Sequence, residues 1–286
     1  MPIANIESIN TRYELVGAGP PLLMFSPGGF DATVEKWGSL GIYAKTQPLS
    51  FLSQHFQCIL FDRRECGQSG GRVEPITWLH YAAQAKALLD HLGFEKAHLM
   101  GGCMGCAPVA AFAVAHPQAT LSMLLFWPVG GAKYRISGQA RFAQHITFVQ
   151  EQTLAEVVAL ARSSDKSFAE DPRGGPWVAV LRSDAAFAAN YLTLDKANYL
   201  QTVQQMQAHL LDRDTAPGTE PEELLRLNIP ALVVPGRDAS HATSAARYLE
   251  ECLPDAQYWD MPVAGQTAHA TQARLLEFLL HKNNGN

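Results

Sequence analysis

The chain has 286 residues, of which 47% are hydrophobic and 17% charged, and its formal net charge is −5. Such a composition excludes a disordered chain, and the length fits one large domain or two small ones. The acidic balance argues against nucleic acid or an anionic membrane as the main partner, so we expect a small-molecule substrate and leave the oligomeric state open.

Two further features bear on localisation. The first ten residues show neither the basic nor the apolar region of a signal peptide, and the apolar runs are shorter than the ~20 residues of a membrane-spanning helix. Five cysteines is an odd number, which suits reduced thiols better than a disulfide framework. We therefore expect a cytoplasmic protein that does not insert into a membrane.

Short apolar runs alternate with helical patterns in the first 127 residues. The predicted strands are Pro21–Ser26, Phe56–Asp62, Lys96–Met100 and Leu121–Trp127, and a helix is predicted over Tyr81–Leu92. Buried apolar strands separated by helices are typical of a mostly parallel sheet with helices on both faces. The sequence therefore predicts the α/β fold class.

The pattern changes after Pro128. Helical periodicity continues through Arg141–Arg162, predicted as one helix, and through Lys196–Leu211, without a convincing strand. The strand pattern then returns, and the predicted elements are a strand at Ile229–Pro235, a helix at Thr243–Cys252, a strand near Gln257–Met261 and a helix near Thr271–His281. We therefore predict an α/β core formed by residues 1–130 and 220–286, interrupted by a helical segment, 131–219.

One motif carries nucleophile chemistry. Gly101-x-Cys103-x-Gly105 stands between a predicted strand and an Ala-rich helix. A nucleophile on such a sharp turn has strained backbone, and flanking side chains would collide there. The helix N-terminus favours a thiolate, and the N–H of Met104 points at any oxyanion formed on a bound carbonyl. The motif predicts Cys103 as a reactive thiol.

The chain resembles the α/β-hydrolase family over nearly its whole length, with cysteine where most members have serine. The resemblance is carried by Pro21–Gly29, Phe61–Ser69, His98–Pro117 and the Ile229–Pro235 strand with Gly236. It implies an α/β-hydrolase fold in which the helical segment 131–219 is a cap. We expect the oxyanion hole to use the N–H of Met104 and one from Gly28 or Gly29, which follow a strand directly.

Other interpretations of the elbow remain open. In the simplest alternative, Cys103 is a small core residue that packs beside the glycines of a close turn. Cys103 and Cys106 also form a C-x-x-C pair at a helix start, which suggests a redox couple, although Cys106 fits a position packed on the sheet. The sequence shows no set of closely spaced metal ligands, and we predict neither a metal nor a cofactor.

The acid and base positions depart from the family pattern. Where the family has Gly-x-x-Asp, this chain has Ala239, and the carboxylate of Asp238 comes one residue early; where the family has its histidine, this chain has Gln266. We predict His241, three residues after Asp238, as the base, with Gln266 orienting its imidazole. His269 is the alternative base, and a site without a histidine is the third possibility.

These residues predict a cofactor-free hydrolase that uses a cysteine nucleophile. A thiolate is acylated readily, whereas deacylation by water needs a general base worth about 10²–10⁴-fold. We expect the substrate to be an ester, thioester, lactone or related activated carbonyl of a small apolar compound. The alternatives are a non-hydrolytic enzyme, either an acyltransferase or a lyase, and a catalytically inactive binding protein on the same fold.

Overall fold

The computed structural model describes residues 2–283, and within them eight strands form one sheet. The strands are β1 (Ile3–Ile6), β2 (Ile9–Val16), β3 (Pro21–Phe25), β4 (Gln57–Phe61), β5 (Ala97–Gly102), β6 (Thr120–Phe126), β7 (Ala231–Val234) and β8 (Ala256–Tyr258). Their order across the sheet is β1-β2-β4-β3-β5-β6-β7-β8. Strands β1 and β2 pair antiparallel, as do β2 and β4, and all the other pairs are parallel.

Helices cover both faces of this sheet. In chain order they are α1 (Lys36–Ser39), α2 (Gly41–Thr46), α3 (Pro48–Leu52), α4 (Trp78–His91), α5 (Cys106–Ala115), α6 (Ala132–Glu151), α7 (Leu154–Ser163), α8 (Val178–Ser183), α9 (Ala185–Tyr191), α10 (Lys196–Leu210), α11 (Pro221–Leu224), α12 (Thr243–Cys252) and α13 (Ala268–Asn283). Over the described chain, no helix is both long and apolar enough to cross a membrane. The predicted fold class, a mostly parallel sheet between helical layers, is confirmed.

Strand β3 shows how the two layers are built. Its side chains alternate between the faces, as the period of two in a strand requires. Leu23 and Phe25 pack in the core that contains α4, α5 and α12, whereas Leu22 and Met24 pack in the core of α1–α3 and α13. Both faces of the strand are therefore apolar, which is why β3 reads as a continuous hydrophobic run.

The segment between β6 and β7 is helical, as the periodicity predicts. Among the described residues from 127 to 230, no strand is formed; Gly130 makes an isolated bridge with His241. The prediction of one helix over Arg141–Arg162 is wrong, because two helices, α6 and α7, meet there. Thr153 begins α7 with a capping box, in which its hydroxyl accepts from the Glu156 N–H at 3.3 Å and Glu156 accepts from the Thr153 N–H at 2.7 Å.

Two antiparallel strands at the sheet edge, β1 and β2, were absent from the sequence prediction. Polar side chains interrupt both strands, at Asn5 in β1 and at Asn10, Thr11, Arg12 and Glu14 in β2, so the longer apolar runs that mark the central strands are missing there. Strand β8 is three residues long and begins one residue before the strand predicted near Gln257–Met261. Short or half-exposed edge strands have weak hydrophobic patterns, because one side of each faces water.

The turn after β4 supports the loop after β3. Asp62 is fully buried and accepts hydrogen bonds from the N–H groups of Val34, at 2.9 Å, and Gln68, at 2.8 Å. Glu65 has a φ of +67° at the position where the resembled family has glycine, and its carboxylate pairs with Arg64 at 2.9 Å. The turn thus keeps its shape without the glycine and ties together two loops at the carboxyl edge of the sheet.

Candidate active site

Cys103 lies on a sharp turn between β5 and α5. Its φ is +55°, in the left-handed region that non-glycine residues rarely adopt. The backbone is crowded here: a Cβ on Gly101 would lie 2.5 Å from the carbonyl oxygen of Gly105, and one on Gly105 would lie 2.3 Å from that of Phe25. Glycines at both positions allow the turn to close, and strand β5 ends with Cys103 at the carboxyl edge of the sheet.

Two backbone N–H groups stabilise negative charge on the Cys103 sulfur. They belong to Met104, which follows it on the turn, and to Gly28, in the loop after β3. The Gly28 loop is held from behind by Arg63, whose guanidinium donates to the carbonyl of Gly29 and stacks 4.2 Å from the centroid of the Tyr81 ring. Of the two glycines predicted for the oxyanion hole, Gly28 is the one that acts on the thiolate.

Gly29 has a different place in the loop. It lines the cavity above the thiol, and it begins a short 3₁₀ turn, Gly29–Asp31. Its carbonyl is the acceptor for Arg63, so the peptide after Gly29 is fixed with its oxygen away from solvent. Gly29 thus positions the loop, and its own N–H makes no described contact with the sulfur.

His241 and Asp238 come from one loop, after β7. The Nδ1 atom of His241 lies 2.9 Å from both carboxylate oxygens of Asp238. Asp238 Oδ1 also accepts from the backbone N–H groups of Ser240, at 2.8 Å, and His241, at 2.9 Å. The carboxylate therefore folds the loop back on itself while holding the imidazole, so that His241 Nδ1 carries the proton and Nε2 is left for chemistry.

The loop reaches the elbow because neighbouring backbone leaves room for it. Gly130, just after β6, pairs with the loop through an N–H donated to the Ser240 carbonyl at 3.0 Å. A Cβ on Gly236 would lie 2.6 Å from the His241 Cβ and 3.0 Å from the Trp127 ring. His241 therefore packs directly against the backbone of Gly236. The centroid of its imidazole ring lies 5.3 Å from the centroid of the Trp127 ring.

The Cys103–His241 pair is shifted towards the thiolate and the imidazolium. Burial acts to raise the pKa of Cys103, but His241 and then the N–H groups of Met104 and Gly28 outweigh it, so the pKa is lowered. Burial acts to lower the pKa of His241, but Cys103 and Asp238 raise it to about 9. His241 Nε2 is buried and makes no hydrogen bond of full geometry among the described residues, yet the imidazole is close enough to Cys103 for hydrogen bonding as well as charge to shift both pKa values, in a contact that a substrate can tighten.

Gln266 does not contact the imidazole directly, and this part of the prediction is wrong. Its carbonyl oxygen accepts from Nε1 of Trp127 at 2.7 Å, and its amide donates to the carbonyls of Pro235, at 2.8 Å, and Met261, at 3.2 Å. The amide is therefore fully used. It holds the indole that packs against His241, so its influence on the imidazole passes through Trp127.

His269, the alternative base, lies elsewhere. It is exposed in the first turn of α13 and is absent from the cavity that contains Cys103. The helix begins at Ala268, so the chain has already left the carboxyl edge of the sheet at this residue. The structure brings Cys103, His241 and Asp238 together and leaves His269 outside.

A cavity of about 380 Å³ opens onto the thiol. Its walls come from the loop after β3, from α2, from the elbow, from α6 and from the loop after β7. The lining residues are Gly28, Gly29, Phe30, Leu40, Gly41, Ile42, Tyr43, Cys103, Met104, Trp127, Val129, Tyr134, Ser137, Gly138, Arg141, Ala169, Asp238, Ser240 and His241. The surface is mostly apolar, with a few polar groups, which is the usual composition of a small-molecule site.

Sequence reasoning missed the contribution of α6. Tyr134, Ser137, Gly138 and Arg141 follow the i, i+3, i+4, i+7 spacing, so they lie on one helix face, and that face is the cavity wall. This spacing was present in the sequence as a signal. It was indistinguishable from an ordinary polar face until the position of α6 over the elbow was known.

The second cysteine of the C-x-x-C pair faces the sheet. Cys106 is buried and donates through its thiol to the carbonyl of Gly101 at 3.1 Å. Burial raises its pKa well above that of a free thiol, and Cys103 and Cys106 are both unbridged. These contacts are those of a packed core thiol.

Comparison with known proteins agrees with this architecture. Residues 21–127 match the sequence model of the alpha/beta hydrolase fold family. A solved structure described as a hydrolase from Pseudomonas aeruginosa PA01 superposes with a TM-score of 0.65 at 21% identity, covering 97% of each chain. The chain therefore has the α/β-hydrolase fold.

Two curated relatives share part of the chain. The dihydrolipoyllysine-residue acetyltransferase component of the acetoin cleaving system of Cupriavidus necator is 30% identical over 127 residues, 44% of this chain and 32% of the relative. The 2-hydroxy-6-oxo-6-phenylhexa-2,4-dienoate hydrolase of Comamonas testosteroni is 27% identical over 178 residues, 60% of each. The matches thus cover less than two thirds of either relative.

Proposed function

We propose that this protein is a cofactor-free hydrolase in which Cys103 is the nucleophile and His241, held by Asp238, is the general acid and base. The proposal rests on one observation, the set of groups that surround the Cys103 sulfur. Backbone N–H groups of Gly28 and Met104 face it, and so does an imidazole whose far nitrogen lies 2.9 Å from a carboxylate. A nucleophile, a base, an orienting acid and two oxyanion donors are the parts that acyl transfer requires.

Acylation follows from this arrangement. The Cys103 thiolate attacks the carbonyl carbon, and the oxygen that becomes negative is held by the N–H groups of Met104 and Gly28. Collapse of the tetrahedral intermediate breaks the bond to the leaving group, which takes the proton from Nε2 of the His241 imidazolium. The products of this half-reaction are a thioester on Cys103, a neutral His241 and the protonated leaving group.

Deacylation uses the same groups in reverse. Neutral His241 takes a proton from a water molecule as the water oxygen attacks the thioester carbonyl. The intermediate then expels the Cys103 thiolate and leaves a carboxylic acid product. The imidazolium that remains restores the resting ion pair, and Asp238 stabilises it throughout.

The helical segment 131–219 is, in this proposal, a cap over the α/β core of residues 1–130 and 220–286. Helix α6 supplies one wall of the cavity, and the elbow supplies the floor. The enclosed substrate is a small ester, thioester, lactone or related activated carbonyl compound. Support for hydrolysis comes from the fold and from the relative in Comamonas testosteroni, which is a hydrolase.

Acyl transfer to an acceptor other than water is the second candidate. A thioester on Cys103 is its common intermediate, and the relative in Cupriavidus necator is described as an acetyltransferase component. The two reactions differ only in what attacks the thioester. A protein that is acylated once and then stalls until an amine or alcohol is added is an acyltransferase, whereas steady release of acid identifies a hydrolase.

The test uses p-nitrophenyl butyrate, with release of nitrophenol followed by absorbance and Cys103 acylation followed by mass spectrometry. We expect a burst and then turnover in the natural protein, and neither in Cys103→Ala. The matched control is Cys252→Ser, a thiol buried on α12 away from the cavity, which should leave both unchanged. Acylation of another residue, or equal turnover by Cys103→Ala, would contradict the proposal.

A further inference from the structure

Arg141 is an unusual residue in the wall of the cavity. It is partly buried on α6, on the face that also carries Tyr134 and Ser137. Among the described residues that line the cavity, it is the only arginine or lysine. A guanidinium that is partly buried in a mostly apolar wall is stabilised by a partner of opposite charge, because removing a charge from water is costly unless it is paired.

No partner is supplied by the protein itself. Within residues 2–283, the Arg141 side chain makes no hydrogen bond and no salt bridge. The contrast with Arg135 on the same helix is informative, because Arg135 makes a two-pronged salt bridge to Asp214, at 2.6 and 3.3 Å. Burial lowers the pKa of Arg141, with Tyr134 opposing this, so desolvation is not compensated by a carboxylate.

Tyr134 connects this cation with the nucleophile. It lies two helical turns from Arg141 on the same helix face, and both residues line the cavity above Cys103. Burial and then Cys103 raise the pKa of the Tyr134 phenol, and the charges of Arg63 and Arg141 oppose this rise. No side chain among the described residues forms a hydrogen bond with its hydroxyl. A ligand that spans from Cys103 past Tyr134 to Arg141 therefore meets an unused hydroxyl and then an unused cation.

We propose that Arg141, assisted by Tyr134, binds a carboxylate on the substrate, so that this protein acts on small activated carbonyl compounds that carry a carboxylate away from the reacting bond. This inference rests on the proposed function and narrows its substrate class. The remaining walls, with Phe30, Ile42 and Val129, take the apolar body between the two ends.

The chemistry favours a carboxylate over a phosphate. A guanidinium donates two parallel hydrogen bonds that match the two oxygens of a carboxylate. A phosphate ester carries up to two negative charges and three free oxygens, and the described lining offers it one permanent cation. The imidazolium of His241 is already neutralised by Asp238 and Cys103.

The first experiment compares two esters that differ only in this charge. They are mono-p-nitrophenyl glutarate and its methyl ester, in which the carboxylate is masked. We expect the natural protein to prefer the anionic ester. Arg141→Met should lower kcat/KM for it by about 10- to 100-fold, because hydrogen bonds to a charged group contribute about 1.5–3 kcal/mol, and should change the neutral ester less than about threefold.

The controls separate charge from structure. Arg135→Met removes an arginine from the same helix outside the cavity and should alter neither ester. Arg141→Lys keeps the charge without the fork and should retain part of the preference. Equal hydrolysis of the two esters by the natural protein, or equal loss of both in Arg141→Met, would overturn the inference while leaving the proposed hydrolase intact.

The second experiment does not need turnover. Alkylation of Cys103 by iodoacetamide is measured in the presence of glutarate or of glutaramide, its neutral analogue. Glutarate should protect the natural protein at least about tenfold better, and Arg141→Met should abolish this difference. Absence of hydrolysis with protection by glutarate would refute only the proposed function. Equal protection by the two compounds, or glutarate protection that persists in Arg141→Met, would refute the carboxylate site.

Discussion

Cys103 and His241 form a pair in which each group alters the protonation of the other. The pKa of the thiol is lowered, and that of the imidazole is raised to about 9, so the charged pair exists over the pH range between them. The backbone N–H groups of Gly28 and Met104 add a fixed positive potential at the sulfur. In the proposed mechanism Cys103 is thus charged before the substrate arrives, which a serine hydroxyl at this position would not be.

The first prediction concerns pH. Cys103 should react with iodoacetamide well below the pH at which a free thiol ionises, and kcat/KM for hydrolysis should follow a bell. On the acid side the rate falls as the thiolate is protonated. On the alkaline side it falls through about pH 9, because His241 loses the proton that it gives to the leaving group.

His241→Gln tests the origin of both limbs. Without the imidazolium, the alkylation profile should move upward towards that of an ordinary cysteine, and the limb near pH 9 should disappear. The His55→Gln variant is the matched control, since His55 is an exposed residue outside the cavity. An alkylation profile that is the same with and without His241 would show that the pair is not electrostatically coupled.

The second prediction separates the two histidines. His241→Ala should lower kcat by about 10²-fold or more, because both half-reactions lose their proton carrier. His269→Ala should retain the natural rate, since His269 is exposed on α13 outside the cavity. Steady-state kinetics on p-nitrophenyl butyrate measures both. Similar rates in the two variants would mean that the site works without a histidine. The acyltransferase and the binding protein would then be better supported than the hydrolase.

At the scale of elements, the site is made where four neighbouring strands end. Strands β3, β5, β6 and β7 lie side by side, and their carboxyl ends lead to Gly28, Cys103, Trp127 and the Asp238 loop. Parallel strands bring their carboxyl ends to one edge, which is where α/β sheets bind ligands. The proposed base, His241, lies on the β7 loop, and the position where the resembled family has histidine instead holds Gln266, whose side chain accepts from Trp127.

The third prediction tests this coupling between loops. Trp127 has a φ of +56°, and Gln266 accepts from its indole N–H at 2.7 Å. In Gln266→Leu the buried indole N–H loses its partner, and the wall behind His241 loosens. We expect kcat to fall by about tenfold with little change in KM, and the pH profile of Cys103 alkylation to move upward.

Urea unfolding at the same pH values distinguishes positioning from simple loss of stability, because an unfolded fraction is also alkylated, with the pH profile of an ordinary cysteine. An upward shift in a protein that stays fully folded at these pH values reports positioning. The control is Gln257→Leu, an exposed amide on β8 that bonds to Arg274 at 2.6 Å, which should leave kinetics and profile unchanged. A Gln266→Leu protein with natural kcat and an unshifted profile would rule out a positioning role for Gln266.

At the scale of the whole molecule, the helical segment is joined internally by a buried histidine. His145 on α6 is fully buried; its Nδ1 lies 2.9 Å from the Arg173 carbonyl, and its Nε2 lies 2.6 Å from the hydroxyl of Tyr199 on α10. Burial lowers the pKa of His145 to about 4, against the opposing effect of the Arg173 and Pro172 carbonyls. The folded chain therefore holds this imidazole neutral where an unfolded chain would protonate it.

The fourth prediction follows from this difference. Between pH 6.5 and 4 the unfolded chain binds the proton first, so the free energy of unfolding falls as the pH is lowered. His145 should contribute a loss of about 2 kcal/mol between pH 8 and pH 5, since each pKa unit corresponds to about 1.4 kcal/mol. Urea unfolding at the two pH values should show this loss reduced by about that amount in His145→Gln.

The His209→Gln variant is the comparison, because His209 is exposed on α10 and its removal should leave the pH dependence as it is. If His145→Gln loses as much stability between pH 8 and pH 5 as the natural chain, the acid sensitivity arises from other groups. Small changes at pH 8 itself do not enter the test, which compares slopes.

Much of this architecture is written in short stretches of sequence. Continuous apolar runs predict the central strands because both faces of these strands are buried, and the Gly101-x-Cys103-x-Gly105 turn predicts the elbow because only glycine tolerates the backbone contacts there. The edge strands β1 and β2 and the break at Thr153 escaped prediction. Their signals depend on which side chains meet water or cap a helix, and periodicity alone does not distinguish these cases.

The sequence by itself determined the α/β order of elements, and it predicted Cys103, His241 and Asp238 as candidate site residues, since these predictions depend on residues close together in the chain. Only the tertiary structure decided that Gln266 holds Trp127, that His269 lies outside the cavity, and that Arg141 and Tyr134 line the cavity that opens onto the thiol. These relations join loops and a helix far apart in sequence. The packing of α6 over the carboxyl edge of the sheet places Arg141 and Tyr134, and the meeting of the segments after β6 and β8 joins Trp127 to Gln266. No local sequence pattern encodes these long-range contacts.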